Sequence, residues 1–323
     1  MGEGILFRIE GRVGSTTFDY ALASVRRERE CISQLPPFRR PQGIFGGPRR
    51  YEPTTEAKLA VLDDFEKVAL YLLPKDSSVH VPVLWNGDLH HENIFVDPDN
   101  PTKILSIIDW QTVNLAPLFQ QVRVPGFLDY AGPRPADGFA LPSPPESFEI
   151  LDRAEKEQAK ELQVQQTMYK TYEMLTTREN RPAFNALRHS KTLGSEIISL
   201  ISQVHNDGER IIKGQLTQAA REWEQLVGQN GPPCPLAKLL TPASIAAQEV
   251  DQQKWGGGVQ MLEDVIEALG GAENGWDGWV SHEDYEQLKQ KLQIVKDQFW
   301  DHVAGDNMAG RKAWENVWPF QDD

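Results

Sequence analysis

Cysteine, long apolar runs and positive charge are all scarce in this chain of 323 residues. Its two cysteines, Cys31 and Cys234, are far apart in sequence and cannot build the disulfide framework of a small secreted domain. No apolar run approaches the roughly 18 to 20 residues that a transmembrane helix requires. The 33 basic and 47 acidic residues give a net charge of −14, which repels polyanions. We therefore expect neither a membrane span nor a nucleic-acid partner.

The sequence also shows no targeting signal in its first ten residues and no lysine in its N-terminal region. The first ten residues contain neither a basic start followed by an apolar stretch nor an Arg/Ser-rich amphipathic segment. No lysine precedes Lys58, which falls inside a helical pattern. What remains is an ordinary globular composition, 40% hydrophobic and 25% charged, in a chain long enough for a sizeable core.

Helical spacing of apolar residues dominates the chain outside one central segment. A short strand is expected over residues 4–13, within a remnant region 1–16, and Pro- and Gly-rich loops over 38–53 and 131–145. The triplet Gly256-Gly257-Gly258 is interpreted as a flexible connection rather than an anion cradle. Helices are predicted over residues 17–35, 54–73, 146–175, 193–204, 209–227, 259–269 and 281–303.

Residues 79–111 differ from the rest because they are rich in β-branched and aromatic side chains. Strand-like segments over 94–96 and 103–108 flank the turn sequence Asp97-Pro98-Asp99-Asn100-Pro101, which predicts a β-hairpin. Asn93 enters the first strand and Asp109 leaves the second, so pairing of the strands brings them side by side. A central hairpin with two polar residues at its open end is therefore expected.

An amide oxygen and a carboxylate at neighbouring strand ends can bind Mg²⁺, which also takes phosphate oxygens and waters. Asp88 precedes Asn93 by five residues, close enough to accept a proton from a substrate hydroxyl beside the same metal. Phosphoryl transfer requires this combination of a positioned base and a charge-neutralising metal. The alternative interpretation is that Asp88, Asn93 and Asp109 are ordinary turn and cap residues. A zinc site at His90-His91 is disfavoured because no HxH or HExxH spacing exists.

The segment resembles the kinase-like phosphotransferase family that includes aminoglycoside phosphotransferases and choline kinases. The resemblance rests on Gly87-Asp88-Leu89-His90 with Asn93, and on Ile107-Ile108-Asp109-Trp110. The sequence around these motifs looks most similar to a fungal branch of this family, which is named for altered inheritance of mitochondria. That similarity extends to Ala116-Pro117-Leu118-Phe119 and Trp276-Asp277-Gly278-Trp279-Val280, and so covers most of the chain.

The resemblance implies a role for each motif residue. Asp88 corresponds to the catalytic-loop base, Asn93 to the metal-binding asparagine of that loop, and Asp109 to the second metal ligand. His90 occupies the position where protein kinases often place a lysine near the transferred phosphate. Mg²⁺ and ATP are the implied cofactors, and the γ-phosphate of ATP would pass to a hydroxyl of a small molecule.

The chain departs from the family in two places. Asn86 stands where the family motif begins with His, and we expect altered loop packing rather than loss of the base, since Asn also donates and accepts. The glycine-rich loop and phosphate-binding lysine of the N-terminal lobe have no counterpart upstream of Asp88. One explanation is that the sequence is a truncated phosphotransferase. The other is a complete chain that keeps the large lobe as a binding module.

The sequence thus predicts an α+β, protein-kinase-like fold: a mainly helical C-terminal lobe over 17–323, with the catalytic-loop hairpin at 84–111 and helices over 146–323. The nucleotide-binding N-terminal lobe is expected to be largely absent. The predicted activity is small-molecule phosphotransfer, and the alternative is a non-catalytic pseudokinase lobe that binds a protein partner. The resemblance implies a mitochondrial location, whereas a complete chain without an import signal would be cytoplasmic. An intact mass above 36.5 kDa would indicate a missed upstream segment.

Overall fold

The computed structural model describes residues 16–35, 54–111, 113–130, 132–135, 138–271, 280–304, 307–315 and 318. These residues are mostly helical, and two small antiparallel sheets contribute the strands, which confirms the α+β class. The strand predicted over 4–13 and the loop predicted over 38–53 lie outside the described residues. Within the described chain, no helix is both long and apolar enough to cross a membrane.

The helices follow the predicted order but differ in several bounds. They are α1 (Thr17–Gln34), α2 (Thr55–Leu72), α3 (Leu118–Gln121), α4 (Arg153–Glu179), α5 (Arg181–His189), α6 (Leu193–Leu200), α7 (Glu209–Arg221), α8 (Trp223–Val227), α9 (Pro242–Ala268), α10 (Tyr285–Ala304) and α11 (Met308–Glu315). The first two confirm the predicted helices to within a residue or two. The expectation missed α3, α5 and α11 altogether.

The predicted start of α4 at residue 146 is wrong because a cap places it later. The Glu155 backbone N–H donates to Asp152 Oδ1 over 2.9 Å, and the Asp152 backbone N–H donates to Glu155 Oε2 over 2.9 Å. This reciprocal capping box satisfies backbone donors that the helix itself leaves free. The helix therefore begins at Arg153.

The expectation of a flexible connection at the glycine triplet is also wrong. Helix α9 begins at Pro242, where the Thr241 hydroxyl caps the Ser244 N–H over 3.3 Å, and it continues through Gly256 to Ala268. Glycine lowers helix stability by only about 1 kcal/mol per residue. Val265 and Leu269 pack in a buried cluster, and this tertiary packing stabilises α9. A local sequence pattern does not include it.

Two compact units divide the described chain. We call residues 21–70 with 200–318 the helical unit, and residues 16–20 with 71–199 the hairpin unit. The helical unit contains most of α1 and α2 together with α7 to α11, and the hairpin unit contains every strand of the described residues together with α3 to α5.

The core of the helical unit is built on the apolar faces of α1, α2 and α7. Their buried apolar side chains recur at helical spacing, as the sequence predicts. They include Val25 and Ile32 of α1, Val61, Leu62, Phe65 and Val68 of α2, and Ile212, Leu216 and Ala219 of α7. A second buried cluster joins α9, α10 and Trp318, where the rings of Phe299, Trp300 and Trp318 lie 5.4–5.9 Å apart.

The hairpin unit contains two separate antiparallel strand pairs. Strand β1 (Pro82–Leu84) pairs with β4 (Leu115–Pro117), and β2 (Ile94–Asp97) pairs with β3 (Asn100–Ile107). The second pair confirms the predicted hairpin and its turn. Helix α3 continues directly from β4, and its Phe119 ring packs edge-on against His189 at the end of α5, with centroids 5.4 Å apart.

Candidate functional site

The loop that follows β1 is held in place by the side chain of Asn86. Its Oδ1 accepts the Asp88 backbone N–H over 3.0 Å, and its Nδ2 donates to the Asp109 carbonyl over 3.2 Å. One amide therefore links the segment that contains Asp88 to the segment that follows β3. Because Asn supplies both a donor and an acceptor, this residue supports the loop although the family motif has His there.

Asp88 and His90 lie together at the exposed surface of this loop. The His90 Nε2 donates to Asp88 Oδ1 over 2.6 Å, and 78% of the Asp88 side chain remains exposed. An ionised carboxylate only accepts hydrogen bonds, so Nε2 carries the proton in this contact. The second carboxylate oxygen of Asp88 has no hydrogen bond among the described residues and is open to a hydroxyl from solvent.

Asn93 joins this loop to the hairpin. A short helical turn over His91–Asn93 leads directly into β2, and the Asn93 Nδ2 donates to the Asp88 carbonyl over 3.5 Å. The register pairs Ile94 with Ile107, and the Ile108 backbone N–H donates to the Asn93 carbonyl over 3.0 Å. Asp109 is thus the residue immediately after the one opposite Asn93.

Asp109 has an unusual backbone, with φ of 56° in the left-handed region. Asp tolerates this conformation better than most residues, and such conformations often occur at functional sites. The Trp110 Nε1 donates to the Ile107 carbonyl over 2.9 Å and closes the turn around Asp109. The Asp109 carboxylate is exposed and has no hydrogen bond or ion pair among the described residues.

These residues fit a magnesium ion by the chemistry of their donors. Asn93 uses its Nδ2 for the Asp88 carbonyl, which leaves its amide oxygen available, and the Asp109 carboxylate is exposed without an ion pair to any described residue. Two hard oxygen ligands with phosphate oxygens and waters make up a usual Mg²⁺ shell. In the described part of the chain no group of three His, Cys, Asp or Glu side chains could form an all-protein metal site.

The hairpin turn is stabilised by its own ion pair. Lys103 Nζ donates to Asp97 Oδ2 over 3.1 Å, and this hydrogen bond lowers the pKa of the Asp97 carboxyl below its ordinary value. The Asp97 Oδ1 accepts the Asp99 N–H over 3.0 Å, as expected for an Asp at the start of a turn. Asp97 is therefore a turn residue and lies at the far end of the hairpin from Asn93.

Gln121 is a positioning residue that sequence reasoning missed. Its Nε2 lies within hydrogen-bond distance of the carbonyls of Val83 (2.5 Å), Asn114 (2.9 Å) and Ala116 (3.2 Å). It therefore holds β1, which leads into the Asp88 loop, against β4 and the turn before it. The segment Ala116 to Phe119 is part of the resemblance, but nothing in the sequence indicates that the next polar residue has this role.

Exposed apolar side chains surround the candidate site. Phe95 is 51% exposed on β2, Ile104 and Leu105 are exposed on β3, and Trp110 follows Asp109 at 50% exposure. Leu84 and Leu115 on the other strand pair are also exposed. Exposed apolar side chains such as these are available to contact a ligand or a partner.

Two curated proteins similar to this chain come from two strains of Aspergillus fumigatus. Both are described as subtelomeric hrmA-associated cluster proteins, and each is 31% identical over 148 residues. That stretch is 46% of this chain and 28% of each relative, so the match spans little more than a quarter of the relatives' length. No protein-family model and no solved structure matches the chain.

Proposed function

We propose that the hairpin unit contains the catalytic loop and metal site of a protein-kinase-like phosphotransferase that uses Mg²⁺ and ATP to phosphorylate a hydroxyl of a small molecule. The observation that supports this most strongly is the double hydrogen bond of Asn86. It brings the backbone of Asp88 and the backbone of Asp109 to one end of the hairpin, next to Asn93. A base and two metal ligands at one place are what this reaction needs.

In the proposed reaction, Asp88 orients the acceptor hydroxyl and takes its proton as the oxygen attacks the γ-phosphorus. The bond from that phosphorus to the bridging oxygen breaks, and ADP leaves with the electron pair. His90 donates to Asp88 and holds one carboxylate oxygen, so that the other faces the hydroxyl. Asn93 and Asp109 would hold Mg²⁺, which neutralises phosphate charge when bound.

The apolar residues beside the site support a nucleotide as the donor. A nucleotide base is a flat aromatic surface that packs well against an apolar or aromatic side chain. Phe95 follows Asn93 by two residues and is 51% exposed on β2. Its ring is available to pack against the base of a bound nucleotide.

The experiment measures Mg²⁺-dependent ATP binding by calorimetry and ADP formation over a panel of hydroxylated small molecules. Asp88→Asn is expected to keep ATP binding and to lower turnover by at least about 100-fold, because it removes the base. Asp109→Asn is expected to weaken Mg²⁺-dependent ATP binding by about 10-fold or more, because a neutral amide replaces a charged ligand. Asp99→Asn, an exposed change in the hairpin turn, is the matched control and should alter neither quantity.

Absence of ATP binding by the unmodified chain, with and without Mg²⁺, would contradict the proposal. So would ATP binding that is unchanged in Asp109→Asn or in the presence of a chelator.

The second candidate function is a non-catalytic lobe that binds a protein, and the exposed apolar residues of both strand pairs favour it. In that case Asp88→Asn has no measurable effect, whereas substitution of an exposed apolar surface abolishes capture of the partner. Mg²⁺-dependent ATP binding without turnover on any acceptor would favour this candidate.

A further inference from the structure

A cavity of about 740 Å³ lies within the helical unit, separate from the residues proposed for phosphoryl transfer. Its walls come from α2, α7, the short turn Ala237–Leu240 and the first half of α9. This volume falls in the usual range for small-molecule sites, about 300 to 1,000 Å³.

The contact between α7 and α9 at this cavity depends on a glycine. A Cβ added to Gly214 would lie 3.2 Å from Gln248 Nε2 and 3.3 Å from Gln252 Nε2. The two glutamine side chains therefore lie directly against the α7 backbone, where any larger residue would displace them. Ala57 and Ala60 of α2 also line the cavity, and their small side chains leave room for a ligand.

One buried polar atom in the wall has no partner. Gln248 is only 7% exposed, and its Oε1 makes no hydrogen bond in the described part of the chain. Buried polar atoms are almost always hydrogen-bonded, because an unpaired one has lost its contact with water without compensation. An acceptor in the wall of a cavity is satisfied by an N–H or O–H group of a bound molecule.

The charges around the cavity favour an anion. Four basic residues line it, Arg210, Lys213, Arg221 and Lys238, against the three acidic residues Asp64, Glu209 and Asp251. Two of the acidic groups already have cations: the buried Lys58 lies 2.8 Å from Glu209, and Lys67 and Lys238 each lie 2.8 Å from Asp64. A basic surplus around one cavity is notable in a chain of net charge −14.

Part of the wall is apolar. Val61 of α2, Leu216 of α7 and Leu239 of the short turn are buried and line the cavity. Apolar walls with a few placed polar groups are typical of sites for organic molecules rather than for bare inorganic ions.

We propose that this cavity binds a small organic anion with an apolar body, a carboxylate, sulfonate or phosphate group, and an N–H or O–H donor for Gln248. The apolar body lies against Val61, Leu216 and Leu239. The anionic group faces the basic side chains of α7. The site does not depend on the proposed phosphotransfer and stands if that proposal fails.

The test uses 8-anilinonaphthalene-1-sulfonate, which has an aromatic body, a sulfonate and an N–H donor. Its binding to the full chain is followed by fluorescence and calorimetry, and one molecule per chain is expected at this site. Gln248→Leu removes the acceptor at similar volume and should weaken binding about 5- to 10-fold. Arg221→Gln should weaken it about 2- to 5-fold and reduce its salt dependence. Ala60→Trp, at an exposed position of α2, should block the cavity.

Gln253→Leu is the matched control, because Gln253 lies on the same helix, is exposed and does not line the cavity. It should bind the probe as the unmodified chain does. Circular dichroism verifies folding, and if Ala60→Trp fails to fold, the Gln248 and Arg221 variants decide the outcome.

Probe binding that is equal in the unmodified chain, Gln248→Leu and Arg221→Gln would overturn the proposal. Loss of binding in Ile104→Ser, an exposed change on the hairpin, would also overturn it, because the probe would then bind the apolar surface of the hairpin unit.

Discussion

In the helical unit the Lys58 ammonium and the Glu209 carboxylate lie 2.8 Å apart with 0% and 2% of their side chains exposed. In the hairpin unit His90 and Asp88 lie 2.6 Å apart with about half or more of each side chain in solvent. The two contacts are similar in length but differ in surroundings. A buried pair cannot reach a substrate without unfolding, whereas an exposed pair can. The exposed pair is accessible to a ligand, whereas the buried pair supports the packing of the helical unit.

The energetic consequences differ as well. Removal of one partner from a buried ion pair leaves a charge without water or a counterion, which costs several kcal/mol. An exposed pair contributes at most about 1 kcal/mol, because water solvates either partner when it is alone. Substitution within the Lys58–Glu209 pair should therefore destabilise the helical unit, and substitution within the His90–Asp88 pair should leave the stability of the hairpin unit almost unchanged.

The largest effect is expected for Lys58→Met. Lys58 Nζ donates to Glu209 Oε2 and also to the Val204 carbonyl over 2.5 Å, so the substitution removes the cation beside a buried carboxylate and a donor to a buried carbonyl. We expect the free energy of unfolding to fall by about 3 to 5 kcal/mol, measured by urea titration with circular dichroism.

The double variant Lys58→Met with Glu209→Leu is the control, because it removes both charges and should recover much of the loss. A fall of less than about 1 kcal/mol in the free energy of unfolding for Lys58→Met alone would contradict the expected difference between the buried and the exposed pair.

An intermediate effect is expected for Gln121→Leu in the hairpin unit. The change leaves carbonyls of β1, β4 and the turn before β4 without their shared donor and should cost about 1 to 3 kcal/mol. Hydrogen exchange should become faster over residues 82–88 and 113–117 and stay the same in α7. Equal acceleration in α7 would show that the two units do not respond independently.

The smallest effect is a pH dependence that arises from His189. Burial, together with the nearby His80, lowers the pKa of His189 below its ordinary value of 6.5, and its Nε2 is buried without a partner. The unfolded chain therefore takes up this proton first as the pH falls. The resulting stability is fully present above the ordinary value and is lost as the pH drops below it.

We expect a lower melting temperature of the hairpin unit at about pH 5.5 than at about pH 7.5, and a weaker dependence in His189→Leu. His302→Leu, at an exposed position, should leave the dependence unchanged. An identical pH profile for His189→Leu and the unmodified chain would exclude His189 as its source.

Elements with strong local signals were predictable. Helices α1 and α2 and the hairpin of β2 and β3 follow from apolar spacing and turn residues, which act between neighbours in sequence. Because the hairpin register is local too, the proximity of Asn93 and Asp109 was accessible from the sequence. The extent of α9 was not accessible from the sequence. Its glycine triplet locally favours a loop, and packing against residues distant in sequence stabilises the helix.

The candidate site also contains features that the sequence identifies and features that only the structure shows. The motif residues Asp88, His90, Asn93 and Asp109 were identifiable from their spacing and flanks. The contact of Asn86 with the Asp109 carbonyl and the contacts of Gln121 join residues that local patterns do not relate. The sequence alone does not distinguish a glutamine that faces solvent from one that connects three backbone segments.

By itself the sequence determined the composition class, the amphipathic helices and the polar hairpin, because each depends on residues a few positions apart. Only the tertiary structure decided that Lys58 is buried against Glu209, that Gln121 supports the Asp88 loop, and that Gln248 lies unpaired in a cavity with basic walls. These features depend on contacts between segments far apart in the chain. Such contacts form only when the apolar faces of the helices pack together, and that packing sets which polar groups lose water.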